Sequence, residues 1–351
     1  MLPQLYLKEQ GASTFVISLA TTLLWLGILV GSAFWGELCD RVSTRSVLVG
    51  ALAGGFLSLG VLAFLLPPLL FLAACFFCAL IAIGAVPATM SMISSRSCVS
   101  HRGRALSTIG FSRSFGMAAG GILAGVLLAT TGFRWTFLLL GCPFLLGLLF
   151  VFSLPRQQEH DIPLKRTSFS FLGVGRLRGL YLGVTLNQMG LLGSASLVFV
   201  HMSNIGITEG IMGVLAALAP TTAMLTMLLS GHLADHVGRK KVFVAGFGLI
   251  VLSPVVFAFS CNAPMMAVGF VIMGLSFGPF FVGSTAHIGD LTPANRQGVM
   301  LGFFESSRAI GGVLGPLVAG AITPLIGFKA MFLVMATVSL LGFGSVLLWT
   351  D

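Results

Sequence analysis

Arg113, Arg308 and Glu305 sit inside largely apolar stretches, in a chain where only 8% of residues are charged. Ionisable side chains in apolar runs are costly, which makes them functional candidates from the outset. A guanidinium presents a planar fork of donors suited to carboxylate or phosphate, so Arg113 and Arg308 could bind an anionic group from two sides of one cavity. Glu305 is the only carboxylate deep within an apolar run. Burial favours the protonated form of a carboxylate unless a cation holds it ionised, so Glu305 is the candidate proton-coupling group. It also precedes Arg308 by one helical turn, and the two could simply neutralise each other. Arg113 has no acid within a turn. Asn187 and Gln188, near the middle of another apolar run, could hydrogen-bond a substrate or tie two helices together.

The elements that position these residues must lie in a bilayer. The chain is 56% hydrophobic, with 45 glycines, 30 phenylalanines and a mean hydropathy of +1.04. A soluble domain would carry charge on roughly a quarter of its residues. Only helices and closed barrels satisfy every backbone polar group in lipid, and the runs here are continuous, without the alternation of a barrel strand. Cut at polar and Pro/Gly punctuation, they fall at about 14–37, 47–66, 69–94, 105–130 and 134–154, then about 180–200, 210–234, 242–260, 264–288, 298–322 and 329–349. Each is near the roughly 20 residues a spanning helix needs. The expected fold is an all-α membrane protein of about eleven transmembrane helices.

Positive residues in short loops stay cytoplasmic. With the charged stretch at 38–46 placed inside, alternation puts most of the 19 Lys and Arg inside, and only Lys8, Arg134 and Lys329 outside. The net charge of +9 is therefore topology and contact with anionic membrane lipids, not nucleic-acid binding.

SGHLADHVGRKKVF at 230–243 has a weaker copy, WGELCDRVSTRSVL, at 35–48. A constant offset of 195 pairs Gly36 with Gly231 and Asp40 with Asp235. The same offset pairs Arg113 with Arg308, Gly125 with Gly320, Gly132 with Gly327 and Phe137 with Phe332. Two parallel repeats follow, a symmetry transporters use to set a site between two bundles. The expected division is an N-terminal bundle at 1–154, a basic cytoplasmic linker at 155–178, and a C-terminal bundle at 179–351.

Gly231-x-Leu233-Ala234-Asp235-x-x-Gly238-Arg239-Lys240 resembles the loop signature of the major facilitator superfamily, which follows the second and eighth of that family's twelve helices. The first-half copy, with Gly36, Leu38, Asp40, Arg41 and Arg45, is degenerate: Ser43 replaces the turn glycine and Arg45 alone remains of the basic pair. The resemblance runs over essentially the whole chain and implies a two-bundle carrier working by alternating access. It also implies a gating latch. Gly36 and Gly231 would let two helices approach closely. Asp40 and Asp235 would accept hydrogen bonds from a helix N-terminus, or pair with an arginine, in the opposite half. Arg41, Arg45, Arg239 and Lys240 belong to the same stretch, as gating residues or as topogenic charge. Against twelve helices the chain as written is expected to lack the first, because the counterpart of the span at 180–200 would begin before Met1.

His232, Asp235 and His236 have the spacing of a helical metal site, but the signature accounts for Asp235 and no fourth ligand is evident, so no zinc centre is expected. Cys75-x-x-Cys78 lies in an apolar helix, where cysteine acts as a small hydrophobe. His287 and Asp290 read as an interfacial cap. Glycines at 116, 120, 125, 311, 315 and 320 are expected to form close-packing helix faces. Leu80 stands where drug/proton antiporters carry an arginine, and Gly315-Pro316 falls outside the helix that carries the antiporter glycine–proline motif. Both departures weaken a drug-efflux assignment. The expected function is secondary transport of a small organic solute across the cytoplasmic membrane, by proton-coupled export or exchange. The alternatives are proton-linked metabolite uptake and a truncated, non-transporting membrane protein. A monomer without cofactor is expected. No phosphate-binding loop and no enzyme constellation occurs.

Overall fold

The computed structural model of the chain describes residues 1–96, 102–153, 174–292 and 297–349. In order these form α1 (Leu2–Glu9), α2 (Thr14–Arg41), α3 (Thr44–Leu62), α4 (Pro68–Ala82), α5 (Ala85–Arg96) and α6 (Arg102–Ser153). They continue as α7 (Val174–Asn204), α8 (Glu209–Val237), α9 (Arg239–Phe259), α10 (Ala263–Leu291) and α11 (Gln297–Trp349). Among the described residues, nine apolar stretches are long enough to cross a membrane. Two of them, in α6 and α11, run for 43 and 49 residues, roughly twice what one crossing needs. Each breaks at a glycine, Gly132 (φ 74, ψ 176) and Gly327 (φ 79, ψ 169). That region of backbone space is essentially closed to any side chain. With each long stretch counted as two crossings, the eleven expected spans are present. The linker expected at 155–178 is shorter at its end, because α7 begins at Val174; residues 155–173 lie outside the described residues.

Contacts divide the chain into two compact units: Met1–Thr22, Ser114–Gly125 and Thr167–Asp351 in one, Leu23–Arg113 and Val126–Arg166 in the other. The first unit has an aromatic core of Phe243, Phe247, Phe280 and Phe304 set against Leu180 and Val184 of α7. Glycines bring α7 and α11 together: a Cβ at Gly315 would collide with the Met189 carbonyl oxygen, and one at Gly311 would stand 2.5 Å from that of Thr185. Within the same unit a Cβ at Gly125 of α6 would stand 2.6 Å from Gly213 Cα of α8, and the reciprocal distance is 2.7 Å. α1 buries Leu5, Tyr6 and Leu7 and is pinned to α7 by two side chains. Gln4 donates to the Ala195 carbonyl (3.3 Å) and Lys8 Nζ donates to Ser203 Oγ (2.8 Å). Lys8 and Ser203 are repeat-equivalent positions.

In the second unit Trp35 donates its indole N–H to the Leu80 carbonyl (2.7 Å), and its ring covers Gly84, where a Cβ would stand 2.6 Å from Cδ2. Arg45 Nη2 donates to the Phe152 carbonyl at 3.0 Å, a cation on the exposed last turn of α6. Close packing holds for Gly125, Gly311, Gly315 and Gly320 but not for Gly116 and Gly120, where a Cβ would meet nothing within 4 Å. Among the described residues a Cβ at Gly36 or Gly231 would likewise meet nothing within 4 Å.

Candidate functional site

Glu305 and Arg308 share one face of α11 because a separation of three residues is close to one helical turn. Arg308 Nη1 donates to both carboxylate oxygens, at 3.0 and 2.8 Å. The two ends of the pair differ: the Arg308 side chain is 11% exposed and that of Glu305 is 55% exposed. α10 and α11 supply the sheath that permits this burial. The guanidinium carbon lies 5.4 Å from the Phe281 ring centroid, 5.7 Å from Phe277 and 6.0 Å from Phe304, all within range of cation–π attraction. Arg308 Nε is buried without a hydrogen-bond partner. The unfilled Nε–H of a guanidinium already holding one carboxylate can donate to a second anionic group, since an unmade buried hydrogen bond carries a standing cost. The sheath of Phe277 and Phe281 was hidden from sequence reading, because it comes from a different helix.

Asn187 and Gln188 lie side by side on α7 but face different surroundings. Asn187 is fully buried and donates from Nδ2 to the Phe247 carbonyl (3.3 Å), its main-chain carbonyl accepts from Ser339 Oγ (3.4 Å), and its side-chain Oδ1 is buried without a partner. That is the helix-tying use of an amide. Gln188 is 2% exposed, its Cβ lies 2.9 Å from where a Cβ would stand at Gly311, and its Nε2 is buried without a partner. Gly311 lies three residues past Arg308, so two unfilled donors flank one turn of α11. Arg113 is exposed on α6 and belongs to the other unit.

The signature stretch is built around Gly238, which adopts φ 100 and ψ 137 between α8 and α9. Positive φ explains why the signature wants glycine there. Its counterpart Ser43 takes φ −56 and caps α3 by accepting from the Ser46 amide (3.3 Å). The degenerate copy thus exchanges a left-handed turn for a side-chain cap. Arg239 pairs with Asp290 at the end of α10. Sequence reading missed this pairing, since 51 residues separate the two. The Asp40, Arg41 and Asp235 side chains, which carry the expected latch, lie outside the described residues, and Lys240 is exposed. Among the described residues no group of three His, Cys, Asp or Glu could hold a metal ion. A wholly apolar pocket of about 270 Å³, lined by Val30, Phe34, Trp35, Leu80 and Ile81, opens in the second unit. It offers no polar lining to orient a charged solute.

The family profile described as Major Facilitator Superfamily matches residues 1–184 and again residues 180–351. The chain belongs to the major facilitator superfamily. Relatives include the uncharacterized MFS-type transporter YuxJ of Bacillus subtilis, 26% identical over 91% of this chain and 83% of that protein. The multi-drug resistance efflux pump PmrA of Streptococcus pneumoniae is 23% identical over 91% of this chain and 82% of its own. In fold the chain is similar to a variant of the nucleoside transporter NupG, with a TM-score of 0.83 at 14% identity, covering 100% of this chain and 95% of that one. A bacterial homolog of the human lysosomal transporter Spinster gives 0.82 at 13% identity, covering 99% and 91%. This superfamily member is a multi-pass integral protein of the plasma membrane, and its fold is the superfamily's two-bundle helical architecture.

Proposed function

We propose that the chain is a secondary transporter that moves a small organic solute by alternating access, with export or exchange driven by the proton gradient. The observation that carries this reading is the Glu305–Arg308 pair, a titratable carboxylate bound to a buried guanidinium within the membrane. Glu305 can hold Arg308 or a proton, and switching between the two changes the charge facing the solute. The similarity to efflux pumps supports outward movement. Arg308 and Gln188 are the solute-facing groups, because both retain an unfilled buried donor. Arg113, the repeat counterpart of Arg308, is a further candidate cation for the solute, with Asn187 holding α7 in place. Gly231, Asp235, Gly238 and Arg239, with Gly36, Asp40 and Arg45, form the gating stretch.

The same pair supports a second reading, proton-linked uptake. An anionic solute that takes Arg308 leaves Glu305 without its counter-charge inside the membrane, and a proton then binds with the solute rather than against it. The sign of the pH effect separates the two. Purified protein is titrated with an organic cation (ethidium) and an organic anion (fluorescein) at several pH values. Export by exchange predicts that acid weakens solute binding. Co-transport of an anion predicts that acid strengthens it. Binding independent of pH removes Glu305 from both schemes.

A further inference from the structure

The last two turns of α8 carry two imidazoles that the gating stretch does not use. His232 and His236 occupy the two variable positions that flank Leu233, Ala234 and Asp235, so nothing in the signature accounts for them. A separation of four residues puts them on one face of α8. Their ring centroids are 4.4 Å apart with the planes inclined at 71°. Both side chains are exposed, and no hydrogen bond or ion pair within the described residues engages either ring. Two neutral imidazoles on one helical face at this separation can each direct a ring nitrogen to a common ion about 2 Å from both.

Both histidines lie in the last two turns of α8, whose C-terminal cap is Gly238. The terminal carbonyls of a helix give that end a partial negative charge that favours a cation. Arg239, Lys240 and Lys241 oppose an incoming dication across the turn, although Arg239 is engaged with Asp290. That repulsion between exposed charges is screened by salt.

We propose that His232 and His236 form an open two-histidine chelate for an exchangeable divalent ion of the copper, nickel and zinc class. This is distinct from the closed, resident zinc centre that the sequence argues against: two protein ligands hold the ion and water completes its shell. A bound ion ties successive turns of α8 together immediately before the Gly238 turn, the backbone hinge of the gating stretch. Nitrogen ligands select this class over magnesium and calcium, which take oxygen. Affinity follows the order of the divalent metals, with copper tightest.

The test uses the full chain purified in detergent without a polyhistidine tag, titrated with copper, nickel and zinc salts against a chromophoric chelator. One ion per chain is expected, with no response to magnesium. His232→Ala and His236→Ala should each weaken copper binding by on the order of a hundredfold, because the second imidazole binds as an intramolecular ligand. His201→Ala, which alters a ring stacked on Phe328 in α11, should leave it unchanged. Equal affinity in wild type and in either His232 or His236 variant overturns the site. So does a loss of the same size in the His201 variant.

Discussion

Replacing Gly213 by Ala tests a close backbone-to-backbone helix contact in the first unit. The added Cβ would stand 2.7 Å from Gly125 Cα, 2.8 Å from the Gly121 carbonyl oxygen and 3.0 Å from the Gly125 amide nitrogen. Carbon atoms in contact rest about 3.5–4.0 Å apart, so α6 and α8 must separate locally by about 1 Å. All three obstructing atoms are backbone, and no side chain can swing away. Overpacking of this kind costs about 1–3 kcal/mol. A helical glycine changed to alanine also gains about 0.5–1 kcal/mol by restricting the unfolded chain, which partly masks the loss. Gly231→Ala on the same helix is therefore the control, since its Cβ meets nothing within 4 Å. Thermal unfolding of both purified variants in one detergent isolates the contact term. Gly231→Ala should match or exceed the wild type, and Gly213→Ala should melt several degrees below Gly231→Ala. Equal melting of the two variants would refute the contact.

Gly327→Ala should destabilise by about 1–3 kcal/mol, because φ 79 with ψ 169 admits essentially glycine alone. Gly132→Ala should cost a similar amount by the same reasoning, and comparing the two melting curves checks whether the repeats share one break. For Arg239 and Asp290, with side chains 41% and 48% exposed, a double-mutant cycle with Arg239→Gln and Asp290→Asn should return a coupling of about 0.2–1 kcal/mol in melting experiments. A coupling several times larger would mean that the pair is shielded from water.

The repeat was the most informative feature of the sequence. It placed Gly132 with Gly327 and Gly11 with Gly206, and all four adopt positive φ. Glycine at a turn is legible because the backbone demand belongs to that one residue. Glycine at a helix contact is not. Gly125 meets Gly213, 88 positions later, which no offset of 195 could reveal, while Gly116 and Gly120 resemble Gly125 in sequence and touch nothing. The Glu305–Arg308 pair was readable as a turn of helix, but its aromatic sheath depends on how α10 packs on α11. Asn187 and Gln188 were indistinguishable as neighbours, because a step of about 100° around the helix separates their faces. One bonds across to α9 and the other faces Gly311. The Arg239–Asp290 pair needed the α9–α10 hairpin to be known first.

Glu305→Gln in proteoliposomes tests the proton-coupling role most directly. Gln keeps the shape and one acceptor for Arg308 Nη1 while removing the site that titrates. An imposed pH gradient should drive accumulation of ethidium or fluorescein by the wild type but not by the variant. Solute exchange without a gradient should persist in the variant at normal protein levels. Gradient-driven accumulation surviving in Glu305→Gln would contradict the assignment and place proton coupling elsewhere in the chain.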